Sequence, residues 1–375
     1  MHLYLHIPFC RQACHYCDFH FSTSLRNKEA LVEAMVDELK LQEKYLPSQE
    51  LHTVYFGGGT PSLLTRNELN RLLDTIREQY HLKPDAEITL EANPDDLSDE
   101  VLRDLAELGV NRLSIGIQSF HDPHLQFMNR AHNAREAEAS VKKAQDAGIT
   151  NISIDLIYAI PSEDDSILRS DIEKGLALGV EHISAYCLTI EPQTAFGKWV
   201  KSRKMDPIEE EYAAQQFEIL VDTLQTQGYE QYEISNFARN QQYSLHNSAY
   251  WQRRPYLGIG PSAHSYNGIS RQYNISNNAS YIKSLSRGEL PSTKEQLSMA
   301  DQVNEYLMTG LRTKWGCRIE LLQELSGNQF LARTGEEIFR LSDIGWLRSY
   351  DGLLLLTEKG KLFADRVASE LFMEE

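Results

Sequence analysis

The sequence predicts an α/β fold: a partial (β/α)6 barrel followed by a smaller, mostly α C-terminal domain that resembles a winged helix. Three features of the 375-residue chain predict it. Up to about position 190, short β-rich runs alternate with longer stretches of helical periodicity, the pattern of a parallel sheet covered by helices. Six such units can be counted, too few to close an eight-stranded barrel. From about residue 295 the pattern becomes helices interrupted by one glycine-bounded hairpin.

The elements follow in order. Residues 3–7 read as a strand, and 28–45 as an amphipathic helix with Leu31, Ala34, Met35, Leu39 and Leu41 apolar. Residues 53–56 read as a strand and 66–80 as a helix; 87–91 as a strand and 98–108 as a helix capped by Ser98. Then come a strand over 112–117, a helix over 134–147 ended by Gly148, a strand over 152–158, a helix over 166–178 and a strand over 182–188. A helix over 209–227 stops at Gly228, and residues 229–290, crowded with Tyr, Asn, Gly and Pro, read as loops. The tail reads as helices over 298–312, 319–325 and 335–341, a hairpin of 346–348 and 353–357 around a turn at 349–352, and a helix over 358–371. The expected division is a barrel domain over 1–230 and a C-terminal domain over 231–375. A flat doubly wound sheet is the alternative for the first part.

Lys and Arg number 37 against 54 Asp and Glu, a net charge of −17. That surface repels phosphate backbones and argues against a nucleic-acid partner, so the winged tail is expected to pack or to meet a protein. No apolar run is long enough to span a bilayer, and the first residues lack the basic and apolar regions of a signal peptide. Of five cysteines, three fall within eight residues, which points to metal ligation in a reducing cytosol rather than to disulfides.

Those three form Cys10-Arg-Gln-Ala-Cys14-His-Tyr-Cys17, a C-x3-C-x2-C loop after the first strand. Three thiolates can hold three irons of a cubane cluster and leave the fourth open to a small chelating ligand such as S-adenosylmethionine. A zinc site with His15 or His20 as fourth ligand is the competing reading. With Phe9 before it and Tyr16 inside it, the loop resembles the signature of the radical-SAM superfamily. The context Tyr4-x-His6-Ile7-Pro8-Phe9-Cys10 resembles the oxygen-independent coproporphyrinogen oxidase-like branch, over nearly the whole chain.

Gly57-Gly58-Gly59-Thr60-Pro61 follows the second strand, where glycines let a backbone approach a ligand; the Lys-Ser/Thr of a phosphate loop is absent. Glu91, Gln118 and Asp155 lie on successive strands, and Arg130, in Met128-Asn129-Arg130-Ala131-His132, can meet a carboxylate. The resemblance implies a [4Fe–4S] cluster on Cys10, Cys14 and Cys17. It also implies an S-adenosylmethionine pocket lined by Tyr4, Tyr16, Gly58, Gly59, Thr60, Glu91, Gln118, Arg130 and Asp155. The chain departs from the family pattern at Asn129 and Ala159, where relatives usually carry Gly.

The oxidase pattern has a fourth cysteine two residues past the third; this chain has Phe19 there. The resemblance is therefore to the HemW heme-chaperone branch, whose His-Asn-x-x-Tyr-Trp element stands here as His246-Asn247-Ser248-Ala249-Tyr250-Trp251. Imidazole is a good axial ligand and Tyr and Trp offer flat faces to a porphyrin. On residue chemistry alone His246 reads as a hydrogen-bonded residue of a packed loop; the resemblance makes it the heme-ligand candidate. His264, in a Gly-rich loop, is a second candidate, and Cys187 and Cys317 read as buried small hydrophobes. The implied function is heme binding and transfer to acceptor hemoproteins in the cytoplasm, with no catalytic base assigned; a homodimer is compatible with it. The alternative is an oxygen-independent coproporphyrinogen III oxidase or another radical-SAM enzyme.

Overall fold

A computed structural model describes residues 1–374. Six strands, β1 (His2–Ile7), β2 (Glu50–Gly58), β3 (His81–Ala92), β4 (Arg112–Gln118), β5 (Asn151–Tyr158) and β6 (His182–Cys187), pair in parallel in chain order. Helices such as Lys28–Leu41, Arg66–Gln79 and Ala134–Asp146 connect them. Buried parallel strands are usually apolar on both faces. These are not. Leu3, Leu5 and Ile7 join the apolar core, while Tyr4 and His6 between them line a cavity. Leu113 and Ile115 alternate in the same way with Arg112 and Ser114, and Ile183 with His182 and Ser184. The interior of this barrel is thus polar and open, and its core lies between sheet and helices.

The expected helices form with small shifts. Thr65 and Asn133 close capping boxes, and Ser98 Oγ accepts from the Val101 amide as predicted. The first helix ends at Leu41 rather than 45; Leu46 precedes Pro47, and a residue before proline is driven out of helical geometry.

The larger correction concerns 229–290, which folds as strands and short helices instead of loops. β7 (Glu230–Glu233) and β8 (Asn236–Ala238) extend the β6 edge in antiparallel fashion. β9 (Tyr256–Ile259) pairs in parallel with β1, and β10 (His264–Tyr266), β11 (Ser270–Asn274) and β12 (Ser292–Gln296) continue beyond it. The result is one twelve-stranded sheet, β12-β11-β10-β9-β1-β2-β3-β4-β5-β6-β8-β7, with two free edges. The barrel is partial, as expected.

A second apolar cluster, including Val303, Leu307, Phe330, Leu354 and Leu371, builds the tail. Its sheet pairs β13 (Cys317–Arg318), then β14 (Leu347–Tyr350), on either side of β15 (Leu353–Leu356). The hairpin turns on Asp351 and Gly352 alone, both at positive φ (49° and 75°), a two-residue turn tighter than predicted. The last helix is two, Glu358–Lys361 and Ala364–Glu370, broken where Phe363 stacks on Trp346 at 4.3 Å. Cys317 is fully buried, as expected, and Cys187 half-buried. No helix is long and apolar enough to cross a membrane among the described residues.

One buried carboxylate ties the later strands to the first helix. Glu38 accepts from the Gly260 amide (2.9 Å) and Asn274 Nδ2 (2.7 Å), holding the loop that leads to His264 against the barrel. Burial raises its pKa to about 7.

Candidate cofactor and ligand site

The cysteine loop leaves β1 at the C-terminal rim of the barrel, where strand-exit side chains converge. It is pinned from below by the glycine tract. A Cβ on Gly59 would stand 2.6 Å from the Phe9 carbonyl oxygen, and one on Gly58, at φ 109°, would stand 2.7 Å from the His6 ring. From the side, the His15 amide donates to the Met128 carbonyl (3.1 Å), and Phe196 donates to that of His15 (3.0 Å).

The sequence-predicted residues meet here. Thr60 Oγ1 donates to Cys10 Sγ (3.5 Å) and accepts from Asn93 Nδ2 (3.3 Å). Arg130 spans the rim: Nη2 donates to Asn93 Oδ1 (2.7 Å) and the Gly116 carbonyl (2.9 Å), and Nη1 reaches Cys14 Sγ and Tyr16 Oη, both at 3.4 Å. Gln118 takes a positive φ of 68°, which turns its amide back over Gly116 beside the same guanidinium. Below, Glu91 accepts from Tyr55 Oη (2.7 Å) and the Gly58 amide (3.1 Å), and Asp155 accepts from Ser114 Oγ (3.2 Å). Burial raises Glu91 to about 7, helped by the nearby Asp155, and raises Asp155 to about 6 against the opposing pull of its hydrogen bonds and of Arg112. Tyr4 stacks on Tyr55 at 6.0 Å.

The donor set distinguishes a cluster from a zinc ion. Among the described residues no three His, Cys, Asp or Glu side chains converge on a single ion, as a mononuclear site requires. His15 Nδ1 bonds the Phe127 carbonyl (2.8 Å), and His20 Nε2 bonds Asn278 Oδ1 (2.7 Å). A cubane takes one thiolate per iron, at separated corners. Arg130 and Thr60 already direct protons at two of the sulfurs, and Arg130 Nε is buried without a partner. The residues present fit an anionic, three-thiolate group with an open side toward Arg130.

Inside the barrel is a cavity of about 670 Å³. Tyr4, Glu91 and Asp155 line its wall, His264 and the exposed Phe19 its mouth, and His246 its lower part. His246 is the second residue of the helix Leu245–Trp251, which plugs the barrel from beneath. Its Nδ1 bonds Thr53 Oγ1 (2.7 Å) and its ring stacks on Tyr55 at 4.9 Å. Burial lowers its pKa to about 3, so the imidazole is neutral. His264 is exposed, stacked on Tyr273 at 5.6 Å. Sequence reasoning missed Tyr55, His182 and Arg112, all of which line this cavity. A lone Arg opening the run Arg-Leu-Ser-Ile-Gly-Ile was the available signal for the last.

The six-strand barrel with a three-cysteine rim defines a radical-SAM protein, and residues 4–174 match the model of the Radical SAM superfamily. Residues 297–363 match that of the HemN C-terminal domain. The structure superposes on coproporphyrinogen III oxidase (HemN) from Escherichia coli with a TM-score of 0.84, covering 99% of this chain and 89% of that one at 22% identity, a likeness of fold. The chain is 35% identical to the heme chaperone HemW of Lactococcus lactis, over 99% of this chain and 97% of that protein. It is 33% identical to that of Bacillus subtilis, over 97% of each. It is also 32% identical to the mitochondrial radical S-adenosyl methionine domain-containing protein 1 of Danio rerio, over 94% and 84%. This chain belongs to the HemW family of radical-SAM proteins. The groups that go with the superfamily are a [4Fe–4S] cluster and S-adenosylmethionine.

Proposed function

We propose that this protein is a heme chaperone: it takes heme into the barrel cavity and hands it to acceptor hemoproteins. Cys10, Cys14 and Cys17 ligate the cluster. Tyr4, Tyr16, Gly58, Gly59, Thr60, Glu91, Gln118, Arg130 and Asp155 form the S-adenosylmethionine pocket. When bound, the cluster and its sulfonium partner supply one-electron chemistry. The chain's own residues bind and orient: Arg130 and Thr60 neutralise sulfur charge, the glycine tract admits a ligand against backbone, and Glu91 and Asp155 offer acceptors for amine or hydroxyl groups. Free thiols at the rim suit a reducing cytosol. In this division residues 1–230 carry the cofactors and 231–375 supply the heme element.

One observation carries the reading. The cavity is of ligand size, walled by the Tyr4 and Tyr55 rings, and holds a neutral imidazole, His246, whose Nδ1 is fixed by Thr53. A hydrogen bond at one ring nitrogen orients the other for a metal. His246 is the axial ligand in this proposal. Heme titrated into anaerobically reconstituted protein, with 5′-deoxyadenosine assayed alongside, tests it. The expected result is stoichiometric uptake with a Soret band and no turnover. Coproporphyrinogen consumption coupled to deoxyadenosine would instead make the protein an oxidase.

A further inference from the structure

Arg112 opens β4 at the floor of the barrel. It is 2% exposed, and it lines the cavity. Its Nε has no hydrogen-bond partner among the described residues. The carboxylate paired with it is Glu87, whose Oε2 lies 3.9 Å from that nitrogen, beyond hydrogen-bond reach. Glu87 is engaged elsewhere: its oxygens accept the Leu245 and His246 amides at 3.1 and 3.0 Å, fixing the start of the plug helix.

The neighbours do not satisfy Arg112 either. His182 is held by Ser153 Oγ (2.7 Å) and Tyr232 Oη (2.8 Å), and burial keeps its imidazole neutral. Ser114 Oγ is turned to Asp155, and Ser184 Oγ to Asn236 Oδ1 (2.9 Å). The floor therefore presents one desolvated guanidinium whose nearest carboxylate, Glu87, is bonded to backbone amides, while Asp155 on the same wall is bonded to Ser114. A buried cation without a hydrogen-bonded counter-ion is costly to keep, and a planar guanidinium is the group that binds a carboxylate in bidentate fashion. Its burial excludes bulk anions and leaves the cavity as the route by which a carboxylate arrives.

We propose that Arg112 is the floor anchor of the cavity, taking one carboxylate of the molecule that enters it; on the heme reading above, on which this rests, that carboxylate is a propionate. Glu87 then sets position by holding the start of the His246 helix beside Arg112. The ligand is gripped at two points, metal at His246 and carboxylate at Arg112.

The test compares hemin with hemin whose two propionates are methyl-esterified, titrated into the full chain and into Arg112→Gln. The wild type should lose about 30-fold or more in affinity on esterification, the loss that goes with removing one partner of a buried charge pair. Arg112→Gln should bind hemin more weakly by a similar factor and bind both forms alike. Arg112→Lys, which keeps the charge without the fork, should retain part of the discrimination. Wild-type binding indifferent to esterification would overturn the inference, and that arm needs no variant to fold. Discrimination that survives in Arg112→Gln would overturn it as well. Failure of the wild type to bind hemin at all would overturn the heme reading and take this inference with it.

Discussion

The rim and the floor of the barrel hold charge in opposite ways. At the rim, Arg130 donates to Asn93 and Gly116 and touches Cys14 and Tyr16, and the cysteine loop is clamped by the glycine tract and by Met128. At the floor, Arg112 has a carboxylate at 3.9 Å and no partner for Nε. Nε is unpartnered in both, but the Nη nitrogens of Arg130 make four hydrogen bonds, whereas no hydrogen bond of Arg112 is found among the described residues. A guanidinium tied down by its neighbours preorganises a site for a group that stays; one left untied is completed by a group that comes and goes. The rim suits resident cofactors and the floor suits cargo.

The clamp is tested where it is tightest. Gly59→Ala places a Cβ 2.6 Å from the Phe9 carbonyl and 2.9 Å from that of Ile7. It should destabilise the chain by about 1–3 kcal/mol and cut iron and sulfide content after anaerobic reconstitution several-fold, while heme uptake at the floor is kept. Normal cluster content in that variant would break the picture of a rigid rim. The smaller effect runs the other way. Ala159, at the end of β5, is fully buried with φ 60°, a left-handed geometry costly for a side chain with a Cβ. Its amide donates to Gln216 Oε1 (2.7 Å), which fixes it there. Ala159→Gly should raise unfolding free energy by up to about 1 kcal/mol in denaturant titration. Asn129, at φ 58°, should respond less, because Asn tolerates this region. A loss of stability on Ala159→Gly would mean that the strain is absent.

Both positions are those at which the chain departs from the glycine of the family pattern, so a conformational demand was visible as a departure before its geometry was known. Elements with long periodic runs and capping residues, such as Thr65 with Glu68 and Ser298 with Asp301, were legible to within a few residues. The six strands between Glu230 and Gln296 were not. They are three to five residues long, and their pairing depends on β1 and β6, far away in sequence, so local pattern cannot report it. The cysteine loop was legible because ligand spacing is local. Arg112 was not, because only folding shows that its hydrogen-bonding capacity goes unused. His246 lay between: its neighbours in sequence named the element, and the structure added Thr53 and Tyr55.

In the proposed function two binding functions occupy opposite ends of one barrel. That arrangement is tested most directly by measuring the Soret absorbance of titrated heme together with iron and sulfide content in two variants. His246→Ala should weaken heme binding by at least about tenfold with the iron–sulfur content intact. Replacement of Cys10, Cys14 and Cys17 by Ala should abolish the cluster and leave heme uptake in place. Unchanged heme affinity in His246→Ala, or zinc in place of iron and sulfide in the wild type, would contradict it.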